Sequence, residues 1–92
     1  MLVSIIMPYF RKKKYIKDSV LSVLNQSYKN FELIIIFDDT DQYDLSFIYE
    51  IEKLDNRIKI LVNKTNLGAG FSRNVGINYS KGFFLAFLDS DD

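Results

Sequence analysis

Phe83-Phe84-Leu85-Ala86-Phe87-Leu88-Asp89-Ser90-Asp91-Asp92 is an apolar run that breaks abruptly into acids. An uninterrupted apolar segment of this length reads as a strand covered on both faces, the habit of parallel sheets. In open α/β sheets, ligands bind beyond the carboxyl ends of the strands, which is where these acids stand. Asp89 and Asp91, at i and i+2, can converge on one hard cation. Mg²⁺ and Mn²⁺ take such oxygen ligands and share them with substrate phosphates. The stretch therefore reads as a buried strand carrying the metal half of a phosphate site.

Three further apolar runs lie upstream: Leu2–Met7, Phe31–Phe37 and Ile58–Val62. Between the four runs lie helical patterns. Ile16, Val20, Val23 and Leu24 fall on one helical stripe, and Ile48, Ile51 and Leu54 repeat at i, i+3 and i+6. A third pattern, from about Ala69 to Ser80, has Ser72, Val75, Gly76 and Tyr79 as its inner face. Strands alternating with helices predict right-handed βαβ units. The expected fold is α/β, a Rossmann-like three-layer sandwich around a parallel four-stranded sheet of order 3-2-1-4. Pro8 is expected to end the first strand, and Asn63 to Gly68 forms the clearest long turn.

The chain has 92 residues, enough for one small domain, and its 48% hydrophobic content argues for a packed core. Twelve basic and twelve acidic residues cancel, so no net field recruits nucleic acid. The absence of cysteine and histidine excludes thiolate and imidazole metal sites and a Ser-His-Asp triad. Chemistry must run on carboxylates, a metal or the substrate's own groups. No apolar run approaches the ~20 residues of a transmembrane helix, and the start lacks a basic signal region. A cytoplasmic location is the expectation, with peripheral membrane contact possible for a longer parent protein.

Two more loops at strand carboxyl ends carry chemistry. Asp38-Asp39-Thr40-Asp41 follows the second strand, where acids can accept from a ligand's N–H groups or simply cap the next helix. Gly68-Ala69-Gly70 opens the third helix, whose backbone N–H groups could meet an anion. Arg73, one turn on, offers a fork for phosphate or a base edge. Tyr9 and Phe10 could stack on a base. The basic run Arg11 to Lys14 reads as a solvated first helical turn more readily than as a phosphate clamp. An acid pair, an anion-friendly helix start and a metal-type cluster on one edge suit a nucleoside diphosphate with a bridging cation.

Val3 to Pro8, Ser22 to Tyr28, Phe31 to Ile35, Asn66-Leu67-Gly68, Ser72 to Ile77 and Phe87 to Asp92 together resemble the amino-terminal half of a family 2 glycosyltransferase. The resemblance runs the length of the chain in order. It implies an incomplete GT-A domain over residues 1–92, from an inverting enzyme that uses a nucleotide-sugar donor with Mn²⁺ or Mg²⁺. The donor is implied to be a UDP-sugar, and the acceptor a glycan or lipid-linked glycan. Pro8 and Phe10 match the base-binding loop, Gly68 and Arg73 the donor segment, and Asp89 and Asp91 the Asp-x-Asp pair. In that pair Asp91 is the closer metal ligand, and Asp89 lies nearer the ribose or the metal's water.

Aligned without gaps, Asp38 takes the place of the aspartate that reads a uracil-type base edge, and Phe37 replaces the acid before it. A one-residue bulge would transfer the role to Asp39; the gap-free register is preferred. The family's general base lies far beyond its Asp-x-Asp pair, and no residue here is given that role. A non-catalytic nucleotide- and metal-binding module is the alternative reading. A receiver-type signalling domain would need its acid pair after the first strand, where this chain has none. The apolar last strand, left at a sheet edge, is expected to promote homo-oligomers.

Overall fold

The computed structural model describes residues 1–89. Elements alternate as β1 (Val3–Tyr9), α1 (Lys13–Leu24), β2 (Phe31–Phe37), α2 (Gln42–Glu52), β3 (Ile58–Val62), α3 (Ala69–Tyr79) and β4 (Phe84–Phe87). All pairings are parallel and the order is β3-β2-β1-β4, as expected. β2 is buried along its whole length, so the period-2 alternation sends Leu33, Ile35 and Phe37 to one face and Ile34 and Ile36 to the other. The first face, with Ile5 and Met7 of β1, meets Ile16, Val20 and Val23 of α1 and Ile48 and Ile51 of α2. On the second, Ile6, Ile34 and Ile36 pack with Val75 of α3. Helices on both faces make the three layers.

α3 lies close because it carries glycine at the contact. A Cβ on Gly76 would stand 2.6 Å from Ile6 Cγ2 and 3.0 Å from Ile36 Cδ1. Two details of the sequence reading are corrected. β1 continues through Pro8 to Tyr9. Even-numbered residues of β1 bond towards β4, as Ile6 does through its carbonyl to the Leu88 N–H, and that ladder stops at Ile6 opposite Phe87. Pro8 therefore lacks an N–H on a side where no ladder partner stands among the described residues, the condition under which a strand tolerates proline. Leu54 and Tyr79 are exposed rather than inward; α2 ends at Glu52, before the periodicity does.

The amino edge of the sheet is fastened by two polar clusters. Ser4 Oγ donates to Glu32 Oε2 at 2.6 Å, and the same oxygen accepts from the Lys81 N–H at 2.7 Å. The Gly82 N–H donates back to Ser4 Oγ at 2.8 Å. This buckle seats β4 on β1. Arg57 grips Asp55 through two hydrogen bonds of 2.8 and 2.9 Å, reaches the Lys29 carbonyl and lies over the Phe31 ring. Those bonds hold the Asp55 carboxyl at about 2, below its ordinary 3.8. A depressed folded pKa means the unfolded chain binds the proton first. The contribution is full above pH ~4 and lost as pH falls through about 2. Asp55→Asn should thus be less stable than the parent at neutral pH, with the gap closing between pH 4 and 2 in urea titrations. A gap that stays constant over that window contradicts the assignment.

β4 is thinly covered. Phe83, Phe84, Leu85 and Phe87 are all exposed, and β4 is an edge strand among the described residues. No helix among the described residues is long and apolar enough to cross a membrane.

Candidate functional site

A cavity of about 300 Å³ opens at the carboxyl edge of the sheet. β1 and the loop after it supply Pro8, Tyr9, Phe10 and Lys12; Asp38 follows β2, Ala69 begins α3 and Asp89 follows β4. Four of the sequence-derived site residues, Pro8, Phe10, Asp38 and Asp89, thus meet around one space. Tyr9 is not a stacking surface. Its ring lies against Phe37, centroids 5.3 Å apart, and its hydroxyl donates to Asp44 Oδ2 at 3.0 Å. Burial, and then the Asp44 hydrogen bond, push the phenol's pKa upward. Phe10, by contrast, presents an exposed ring.

Asp38 is the most heavily bonded side chain at this edge. Its Oδ1 accepts from Asn63 Nδ2 at 2.9 Å and the Leu67 N–H at 2.7 Å; its Oδ2 accepts from Asn66 Nδ2 at 3.0 Å and the Gly68 N–H at 2.8 Å. Its carbonyl takes a further bond from Asn66. Asn63 also reaches Ser72 Oγ, which ties the brace to α3. With two donors on each oxygen, no open acceptor is left for a ligand. Asp38, preferred from sequence as the base reader, thus holds the β3–α3 loop in place at the cavity wall. The Gly68 expectation changes with it. Gly68 has φ +94°, a conformation that favours glycine, but the anion its N–H meets is the Asp38 carboxylate.

Asp39 has the opposite character. Oδ1 closes its own turn, accepting from the Thr40 N–H at 2.7 Å. Oδ2 is buried without any hydrogen bond among the described residues, and Arg11 Nε stands 3.8 Å away. A buried acceptor left open is uncommon and calls for a partner. Asp41 takes the capping role foreseen for this turn, accepting from the Tyr43 and Asp44 N–H groups at the start of α2.

Asp89 is exposed at the cavity, with Oδ1 4.0 Å from Arg73 Nη2, so β4 and α3 bring these two expected residues together. Asp91, the other expected metal ligand, lies outside the described residues. Asp89's carboxylate is the hard oxygen donor that Mg²⁺ or Mn²⁺ prefers, so the residue type fits the cation. The basic run is not uniformly solvated. Lys12 lines the cavity, Arg11 approaches Asp39, and Lys13 lies over the Phe47 ring. From sequence, Arg11 and Lys12 read only as part of a solvated basic run, and Asn63 and Asn66 only as part of a turn and a family motif. The available signal was weak: two asparagines in a six-residue turn, and a charged run directly after a strand.

The sequence profile described as Glycosyl transferase family 2 matches residues 4–92. The chain is 45% identical over 91 residues to the Escherichia coli UDP-Glc:alpha-D-GlcNAc-diphosphoundecaprenol beta-1,3-glucosyltransferase WfgD, covering 99% of this chain and 35% of that one. Among solved structures, S. aureus TarS 1-349 in complex with UDP superposes with a TM-score of 0.86 at 30% identity, over 99% of this chain and 28% of that one. The Pyrobaculum calidifontis mannosyltransferase PcManGT, solved with GDP-Man and Mn²⁺, shares the fold at a TM-score of 0.88 and 14% identity, over 97% of this chain and 27% of that one. The chain spans about a third of the length of three of the curated relatives it matches, WfgD among them, and less of others.

Proposed function

We propose, from the premise that this chain belongs to glycosyl transferase family 2, that its cavity holds the nucleoside diphosphate of a nucleotide-sugar donor. The observation that carries this reading is the cavity's lining, an exposed ring, Phe10, at one side and a carboxylate, Asp89, at another; the buried, unbonded Oδ2 of Asp39 lies just behind it, next to the lining residue Asp38. Phe10 stacks on the base. Asp39 accepts from the base edge, taking the role first given to Asp38. Arg73 and Asp89 face the diphosphate end.

Uridine is the favoured base. A carboxylate accepts and does not donate, so it suits the ring N–H of uracil, and two similar proteins carry UDP or UDP-Glc in their descriptions. Asp89 and Asp91 would hold Mn²⁺ or Mg²⁺, which neutralises charge on the leaving diphosphate. In the transfer, an acceptor hydroxyl loses its proton to a base as its oxygen bonds to the anomeric carbon from the face opposite the diphosphate; the anomeric C–O bond breaks, its electron pair leaves on the diphosphate, and the configuration inverts. The acceptor is a glycan or lipid-linked glycan, as the WfgD description suggests. The cavity is assigned to the donor side.

The test is calorimetry of UDP binding with and without Mn²⁺. Binding should depend on the metal, and Asp39→Ala should weaken it by ~1–3 kcal/mol, the scale of a hydrogen bond to a charged group. Equal affinity for UDP and CDP, indifferent to a chelator, would overturn the reading.

A further inference from the structure

Arg11 is the one non-glycine residue among those described with a positive φ, +54°. That left-handed conformation costs an arginine about 1–2 kcal/mol relative to the right-handed one, and such outliers persist where surrounding contacts require them. The contacts here are specific. The guanidinium lies over the Phe10 ring, 4.8 Å from its centroid, and Nε stands 3.8 Å from the unpartnered Oδ2 of Asp39. Neither Arg11 nor Asp39 lines the cavity, yet each directly adjoins a residue that does.

We infer that Arg11 is a positioning residue for nucleobase selection, fixing Phe10 and Asp39 relative to each other. This rests on the proposed donor site. Phe10 would meet the face of the base and Asp39 its edge, so the angle between ring and carboxylate decides whether a base can satisfy both. A cation that stacks on one and attracts the other ties them together. At 3.8 Å the guanidinium compensates the buried charge without forming a hydrogen bond, and Oδ2 keeps its lone pairs for a ligand. An acceptor held in this way suits a base with a ring N–H, uracil at N3 or guanine at N1. It repels the bare ring nitrogen that cytosine or adenine presents there. The left-handed turn brings the side chain back to both partners.

The experiment compares binding of UDP, CDP and N3-methyl-UDP, each with Mn²⁺, to the parent protein and to Arg11→Met, Arg11→Lys and Arg11→Asn. The parent should prefer UDP to both others. Arg11→Met should lower UDP affinity about tenfold, the combined scale of an exposed cation–π contact and an ion pair. CDP and N3-methyl-UDP affinities should hardly change. Arg11→Lys should recover part of the preference. Arg11→Asn relieves the backbone strain, so its Tm should match or exceed the parent's while the preference is lost. A purely structural role would instead weaken all three ligands together and lower Tm. If Arg11→Met and Arg11→Asn discriminate as the parent does, the Arg11 assignment is wrong while Asp39 stands. If the parent itself does not distinguish UDP from N3-methyl-UDP, the Asp39 reading fails and takes this inference with it.

Discussion

Asp38→Ala should unfold more of the protein than it removes from any ligand contact. The carboxylate gathers two backbone N–H groups, of Leu67 and Gly68, and two side-chain amides, of Asn63 and Asn66, at 2.7 to 3.0 Å. Alanine leaves those donors facing a small void at a residue that is 2% exposed. An unsatisfied buried donor costs ~1–3 kcal/mol. The asparagine amides can turn to other partners, but the two N–H groups are fixed by the loop. A loss of about 3 kcal/mol follows, a large part of the ~5–15 kcal/mol that holds a domain together.

Asp38→Asn sharpens the test. Whichever way the amide is turned, its NH₂ meets one of the two donor pairs, so the isosteric change should also destabilise. Urea unfolding measures both variants. The gap-free reading of the sequence makes the contrary forecast: normal stability with weakened uridine binding. That outcome would return the base-reading role to Asp38.

Why one acid braces and its neighbour stays open was not legible in the sequence, although most of the architecture was. The bounds of β2 and β3 follow from runs of Ile, Val and Phe that end at Asp38 and Asn63. The sheet order follows from right-handed crossovers between parallel strands. Both signals are local or topological. The division of labour between Asp38 and Asp39 depends on a loop 25 to 30 residues downstream, whose asparagines and N–H groups select one carboxylate. The continuation of β1 through Pro8 likewise depends on where β4 stops, roughly eighty residues later along the chain. Arg11 was hidden for a different reason. A basic run after a strand is ordinarily a solvated helix start, and only the backbone angle turns its first residue back onto Phe10 and Asp39.

Gly82→Ala should disable the site from the opposite end of the sheet. A Cβ there would lie 2.6 Å from Ser4 Oγ, 2.7 Å from the Ser4 backbone nitrogen and 2.8 Å from the Leu2 carbonyl oxygen. Two of those atoms are backbone, one in β1 and one in the residue just before it, and cannot step aside. The chain before β4 must move, which breaks the Gly82 bond to Ser4 and loosens the Glu32 grip on Lys81. Overpacking of ~1–3 kcal/mol and a lost hydrogen bond of about 1 kcal/mol give a destabilisation near 3 kcal/mol. β4 has only β1 as a partner among the described strands, so the displacement passes along it to Asp89, two residues beyond its end. Metal-dependent nucleotide binding should therefore fall although the substitution is remote from the cavity. Gly70→Ala is the matched control: nothing lies within 4 Å of its added Cβ, and alanine in a helix should stabilise by up to about 1 kcal/mol. Parent-like stability and metal-dependent UDP binding in Gly82→Ala would show that the buckle at the amino edge does not hold β4 in place.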